Sequence, residues 1–251
     1  MLHESEKQNI LPDNEKYDSS FVLVQSQLPR SSWDPKFAAF IDGEIVKHKI
    51  DASSSRPETA EDEREKTLKR YIKGLGLDLK DLKNKKVVDV GCGDGEFVRE
   101  LIDKKITQEA YGIDARLSDS VSDQHFIKAN FHELIPIIDC DLIVSVGAIS
   151  NEIWHSEKDE EAKLIIEKIV KNALDALNEN GEVRIYPIQE AFAEMPLAGL
   201  QKSKSLWDEI IKHLSQKYDV DCHLETSNVR VSGVDSDLVL ESVLIIKKRH
   251  K

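Results

Sequence analysis

VVDVGCGDGEF, residues Val87–Phe97, sets three glycines within five positions of a chain that has only 11 glycines in 251 residues. KKVVDVG (85–91) reads as a β-strand and EFVRELIDKK (96–105) as a helix, so the glycines fall on the turn between them. Glycine supplies positive φ and lets backbone come close to a ligand, which predicts a strand ending against a bound molecule. The acids matter as much. Asp89 precedes the first glycine, Asp94 lies between the second and third, and the loop contains no Lys or Arg.

Outward from this stretch, strands and helices alternate. EAYGID (109–114) and HFIKAN (125–130) read as strands, and CDLIVSVG (140–147) is a nearly continuous apolar strand, as in a sheet covered on both faces. DEEAKLIIEKIVKNALDAL (159–177) carries Ala162, Ile166, Ile169, Val170, Ala173 and Leu177 at helical spacing, with NENG as its stop. GEVRIYPI (181–188) is a strand, KSLWDEIIKHLSQK (204–217) an amphipathic helix, and VDCHLETS (220–227) and ESVLIIKKR (241–249) are the last two strands. Alternation at intervals of roughly 20–30 residues is the pattern of a doubly wound sheet. No helix separates the last two strands, so they are expected to pair antiparallel at a sheet edge. The expected fold class is therefore α/β: a doubly wound, mostly parallel seven-stranded sheet with an antiparallel C-terminal edge strand. Upstream, TAEDEREKTLKRYIKGLG (59–76) predicts a helix capped by Thr59, with Leu68, Tyr71 and Ile72 on one face. The Ser-rich DASSSRPE (51–58) reads as a linker, which divides the chain into an N-terminal extension (1–58) and a main domain (59–251).

Composition narrows the function classes. With 40% hydrophobic and 33% charged residues the chain suits a soluble globular protein, and a net charge of −12 argues against wholesale binding of a phosphate backbone. The basic KKRHK (247–251) reads as a solvated tail. Cys92, Cys140 and Cys222 are widely spaced and form no CxxC pair, so neither a disulfide framework nor a metal site is expected. The opening MLHESEKQNILPDNEKYD lacks the apolar stretch of a signal peptide, and no apolar run approaches the ~20 residues of a bilayer span. A cytoplasmic location without membrane association is expected.

A dinucleotide fingerprint needs G-x-G-x-x-G, whereas the glycines here are Gly91, Gly93 and Gly95, with Glu96 where the last would fall. A P-loop needs Gly-Lys-Ser/Thr, and neither Lys nor Ser/Thr follows. Asp89 and Asp94 would repel a pyrophosphate but suit a ligand with a cationic amino group. Asp114 ends the second strand about 20 residues after the loop, where a carboxylate commonly takes a pair of ribose hydroxyls. The residues thus call for a nucleoside joined to a cationic group.

In these positions the chain resembles the class I S-adenosylmethionine-dependent methyltransferases, whose first motif, acid-x-Gly-x-Gly-x-Gly, is present whole as Asp89, Gly91, Gly93 and Gly95. The resemblance covers roughly residues 60 to 251 and implies a Rossmann-like methyltransferase fold. It also implies S-adenosyl-L-methionine as cofactor, with S-adenosyl-L-homocysteine as product. By that resemblance Asp89 orients the loop and the methionine amino group, and Gly91, Cys92, Gly93 and Gly95 lie along the cofactor. Asp114 and the following Ala115 flank the ribose, Asn130 and Phe131 the adenine, and Val146 and Gly147 the sulfonium. Many family members have an acid where Asn130 stands, but an amide oxygen can still accept a hydrogen bond.

The acceptor side is less defined. After the fourth strand the chain reads AISNEIWHSE, without the Asn/Asp-Pro-Pro-aromatic tetrad of many amino-methylating family members. Glu152 and His155 are the candidate catalytic residues there, with His155 in the pKa range of a base; otherwise both are solvated near a helix capped by Ser150 or Ser156. Tyr186 and Pro187 are candidates to line an acceptor pocket or to pack, and His132 is a further imidazole near the adenine side. Trp33, Phe37 and Phe40 serve either as a lid or as the anchor of the extension. The expected function is methyl transfer to a small-molecule acceptor. Two alternatives remain open: a non-catalytic S-adenosylmethionine-binding or partner-binding module, and an RNA or protein methyltransferase. The connections 115–124 and 131–139 are short for full crossover helices.

Overall fold

The structure is a computed structural model that describes residues 30–39, 60–118, 123–156, 158–191, 198–232 and 237–249. Phe40, the capping Thr59 and the 58/59 boundary lie outside the described residues. Five helices are used below: α1 (Ala60–Gly74), α2 (Glu96–Asp103), the short α3 (Glu152–His155), α4 (Asp159–Ala176) and α5 (Ala198–Lys217). The strands are β1 (Val87–Val90), β2 (Ala110–Ile113), β3 (Phe126–Ile127), β4 (Cys140–Val146), β5 (Leu177–Ala191), β6 (Val220–Ser232) and β7 (Asp237–Lys248).

The seven strands form one sheet in the order β3-β2-β1-β4-β5-β7-β6. β1 to β5 are parallel neighbours, while β7 runs antiparallel to both β5 and β6. The expected antiparallel pair therefore closes that side of the sheet, with β7 inserted between β5 and β6 so that β6 is outermost. Every residue of β1 is buried, as a strand covered on both faces demands. Val88 and Val90 pack with Ile166, Ile169 and Val170 of α4 and Trp207 and Ile210 of α5. On the other face Val87 packs with Leu68, Tyr71 and Leu75 around α1 and Phe97, Val98 and Leu101 of α2. Side chains alternate along a strand, so Asp89 falls on the α1–α2 face.

Several boundaries differ from the sequence reading, among them the start of α5, which lies at Ala198 instead of 204. The third strand, expected over 125–130, is two residues long. The chain then turns: Asn130 Oδ1 accepts from His132 N–H at 3.0 Å, and the Asn130 carbonyl accepts from Glu133 N–H at 2.9 Å. NENG ends helix α4 one residue early but is no loop, because β5 already pairs at Leu177 opposite Cys140 and bulges before Glu182. Asn178 pins that bulge by donating to Asp141 at 3.0 Å. β6 and β7 also run longer than expected.

In the described part of the N-terminal extension, Asp34 Oδ1 accepts from the N–H of Lys36 and Phe37 at 2.9 and 3.2 Å, starting a helical turn over residues 35–39 with Pro35 at its first position. Trp33 and Phe37 are buried, their ring centroids 5.2 Å apart.

One guanidinium ties the C-terminal end of helix α1 to the sheet. Arg184 on β5 donates from Nη1 to the carbonyls of Leu75 and Gly76, at 2.6 and 3.2 Å, just past the helix end. Its Nε bonds Glu182, whose second oxygen meets Lys247 at 2.9 Å. Burial works to raise the Glu182 carboxyl, but the hydrogen bonds and charges of Lys247 and Arg184 hold it below the usual carboxylate range. Replacing Arg184 by Met leaves the two carbonyls without their donor. The expected loss is about 2–3 kcal/mol, measured by denaturant unfolding.

Candidate functional site

The glycine loop lies at the carboxyl end of β1, between the ends of β2 and β4. The N–H groups of Gly91 and Cys92 both donate to the Ile113 carbonyl, at 2.8 and 3.2 Å, and Gly95 N–H closes the turn on the Cys92 carbonyl at 2.9 Å. All three glycines have positive φ. Two of them are also packed shut: a Cβ on Gly91 would lie 2.1 Å from the Ala148 methyl carbon, and one on Gly95 would lie 2.0 Å from the Phe126 ring. At Gly93 nothing lies within 4 Å. Cys92, between them, turns inward into the α1–α2 core, and burial pushes its thiol up.

Asp114 joins the loop from the end of β2. Its Oδ2 accepts from Gly93 N–H at 3.1 Å and its Oδ1 from Arg116 N–H at 2.8 Å. The residue is 4% exposed, whereas Ala115 beside it is exposed and the Arg116 side chain reaches over the carboxylate from solvent at 3.4 Å. Burial works to raise the Asp114 carboxyl, but the donors of Arg116 and Gly93, with the guanidinium charge, hold it below the usual range. The two amides and the Arg116 Nε and Nη2 together take the carboxylate's about four lone-pair positions, so a ligand's hydroxyls would be accepted in place of the guanidinium.

Asp89 is the other acid of the motif, and it is fully buried. The Tyr71 hydroxyl on α1 donates to Asp89 Oδ2 at 3.1 Å, and Oδ1 has no partner among the described residues. Burial raises the Asp89 carboxyl to about 7, against the lowering effects of the Tyr71 hydrogen bond and the Arg70 charge. The Tyr71 hydroxyl is raised in turn, by burial first and then by the Asp89 charge. Its ring stacks on Phe97 with centroids 4.3 Å apart. The sequence reading had Tyr71 on the packing face of α1 and missed its hydroxyl. A tyrosine at core spacing carries no sign of which buried acid it will meet.

The adenine-side and sulfonium-side candidates take definite places. Asn130 is exposed, its amide oxygen already holding His132 N–H, and Phe131 is half-buried with its ring edge-on to His132 at 4.8 Å. Val146 ends β4 half-buried, and Gly147 follows with positive φ, its N–H on the Tyr186 carbonyl at 2.8 Å.

The two catalytic candidates separate. Glu152 Oε1 lies at hydrogen-bond distance, 3.1 Å, from His132 Nε2, so its imidazole partner comes from the β3–β4 connection, not from His155. His155 is exposed at the end of α3 and has no partner among the described residues. Neither serine caps a helix start. Ser150 is buried and donates to the Tyr186 carbonyl at 3.3 Å, Ser156 follows the last residue of α3, and Lys158 precedes α4. Tyr186 packs: it is buried against Gly74, where a Cβ would lie 2.6 Å from its ring, and its hydroxyl bonds the buried Glu241. Pro187 follows through a cis peptide bond.

No protein-family model matches the chain, and no curated protein matches it. Solved structures are similar in fold. The N-methyltransferase NodS from Bradyrhizobium japonicum WM9, in complex with S-adenosyl-L-homocysteine, is 13% identical, with a TM-score of 0.45 over 84% of this chain and 98% of its own. A TehB-like SAM-dependent methyltransferase from Corynebacterium glutamicum is 16% identical, with a TM-score of 0.39 over 84% of this chain and 99% of its own. The plantazolicin methyltransferase BpumL, also with bound SAH, is 14% identical, with a TM-score of 0.46 over 91% and 96%. Likeness of this degree leaves the chemistry to the residues of this chain. Among the described residues, no helix is long and apolar enough to cross a membrane.

The raised Asp89 carboxyl has a stability consequence. An acid whose folded value lies near 7 against 3.8 unfolded keeps its proton on folding below the lower value and loses stability as pH rises through the higher one. Asp89→Asn, which cannot ionise, is therefore expected to gain thermal stability over the parent at about pH 8. That gain should shrink steadily toward about pH 4, as read from melting temperatures of the unliganded proteins.

Proposed function

We propose that the chain is an S-adenosylmethionine-dependent methyltransferase acting on a small-molecule acceptor. The observation that carries this reading is the open face at Gly93. It lies between two glycines packed against protein, with the Asp114 carboxylate on its amide and buried Asp89 beneath, and with no cation inside the loop. Such a cradle selects against phosphate and in favour of a nucleoside bearing positive charge. In this reading Asp114 takes the ribose hydroxyls once the Arg116 side chain swings aside, with Ala115 beside the sugar. Asn130 offers the second lone pair of its amide oxygen to the adenine, which Phe131 borders. Val146 and Gly147 face the sulfonium, and Cys92 acts from below by packing.

When bound, the cofactor supplies an electrophilic methyl on sulfur, and transfer is an in-line displacement in which positioning of the acceptor does much of the work. His132 with Glu152, exposed to 34% and 14% at their side chains, is the acid–base pair nearest in chemistry to what a protonated acceptor would need. The net charge of −12 supports a small acceptor over a nucleic acid. We assign residues 1–58 to an extension whose Trp33 and Phe37 anchor it, and the cytoplasm as the site of action.

Titration calorimetry with S-adenosylmethionine and with S-adenosylhomocysteine tests the reading, and folded protein that binds neither would refute it. Asp114→Ala is expected to weaken binding by about 1.5–3 kcal/mol. Gly93→Ala separates ligand from fold. It is expected to cost about 1–2 kcal/mol of stability for its positive φ, yet to reduce binding sharply because the methyl enters the open face. Gly91→Ala and Gly95→Ala should instead compromise folding itself. Binding without transfer to any of a broad set of acceptors would favour a non-catalytic module.

A further inference from the structure

Asp89 combines features that a merely structural acid does not need. It is fully buried, one of its oxygens has no hydrogen-bond partner among the described residues, and its other oxygen has a phenol as its donor. A buried carboxylate in an ordinary structural role collects two or three backbone donors, which fix it as an anion. Here the neighbours on either side in the sheet are Gly112 and Val144, neither of which carries a side-chain donor. The groups that face Asp89 are Tyr71 and Arg70 from α1, Cys92 from the loop and Asp114 from the end of β2. Of these only Tyr71 and Arg70 favour the anion, whereas Asp114 opposes it. The charge of Asp89 is thus offset by one hydrogen bond and one cation, against burial and the Asp114 charge. The acid lies two residues before the first glycine of the loop.

We propose that Tyr71 is a positioning residue for Asp89, and that the pair couples cofactor binding to the release of one proton. In the unliganded protein near neutral pH the carboxyl is partly protonated. A sulfonium and an ammonium brought onto the loop above favour the anion by their charge, without touching it, and the proton passes to solvent. No bond other than this O–H changes. The Tyr71 hydroxyl, its ring clamped on Phe97 and its helix held by Arg184, stabilises the anion and so sets the pH at which the exchange occurs. This inference rests on the cofactor reading above and deepens it.

The test is S-adenosylmethionine binding as a function of pH, in buffers of different ionisation enthalpy so that proton release is counted directly. The ligand's own α-amino group titrates near 8 and stays largely charged through the useful window, from about pH 5.5 to 7. Affinity of the parent protein is expected to climb by up to about tenfold per pH unit at the acid end and to flatten toward neutrality, with close to one proton released below the bend. Asp89→Asn should abolish the slope and the proton release together. Tyr71→Phe should move the bend to higher pH, with a deficit of about tenfold near pH 7 that narrows on the alkaline side. A purely structural role for the tyrosine would instead lower affinity by one factor at every pH.

Infrared spectroscopy gives a readout that does not depend on the binding constant. The unliganded parent at about pH 6 should show a protonated-carboxyl band that Asp89→Asn lacks and that added S-adenosylmethionine removes. Binding with a flat profile, or with the same slope in Asp89→Asn, overturns the coupling alone. A uniform loss in Tyr71→Phe overturns the part given to the tyrosine. Failure to bind at any pH overturns the cofactor reading and the coupling with it.

Discussion

The double hydrogen bond from Gly91 and Cys92 to the single carbonyl of Ile113 is the constraint on which the rest of the site depends. It pulls the loop sideways onto the end of β2 and so brings Gly93 within reach of Asp114. The loop can lie there only because no side chain intervenes at Gly91, against Ala148, or at Gly95, against Phe126. Sheet order thereby becomes site geometry. β1 is flanked by β2 and β4, so residues distant in sequence arrive at one loop from both sides.

Helix α1 closes the arrangement from the other face. Its position is set at the C-terminal end by Arg184 and by the close fit of Gly74 to Tyr186. Further up the helix, Thr67 donates to Glu96 on α2 at 2.7 Å. Between these two anchors Tyr71 has little freedom to leave Asp89. Two buried tyrosine–carboxylate pairs result on this face, Tyr71 with Asp89 and Tyr186 with Glu241. The first places its acid in low dielectric with a neutral donor, an arrangement that leaves the charge state of Asp89 sensitive to what binds nearby.

Much of this could be read from residues alone, for physical reasons that differ by element. β1 and β4 were legible because burial on both faces makes a strand almost continuously apolar, and α4 because its buried face repeats at helical spacing. The glycine loop and Asp114 were legible because φ and spacing limit what can stand there. The brevity of β3 was hidden, since it depends on Asn130 capturing a backbone N–H instead of continuing a ladder. The pairing of Glu152 with His132 was hidden too. Those residues lie 20 positions apart and meet only because β3 and β4 end on the same side of the sheet. His155, named beside Glu152 as a candidate at the acceptor mouth, is exposed at the end of a short helix. Serines near a helix look like caps in sequence. Ser150 instead bonds the Tyr186 carbonyl across to the next strand.

The insertion of β7 between β5 and β6 bears on how the sheet is assembled. β5 and β6 are consecutive strands joined through α5, yet they share no ladder; β7 lies between them, pairing with the free edge of β5 and with β6. Until residues 237–248 are in place, β5 therefore carries a bare hydrogen-bonding edge beside the buried core, and β6 has no place in the sheet at all. Pairings of this kind close late because the loop entropy must be met before any contact repays it. A bare strand edge of this kind is also a template for a β-strand from another chain. The same strand that completes the sheet thus governs how long the nascent protein remains open to aggregation.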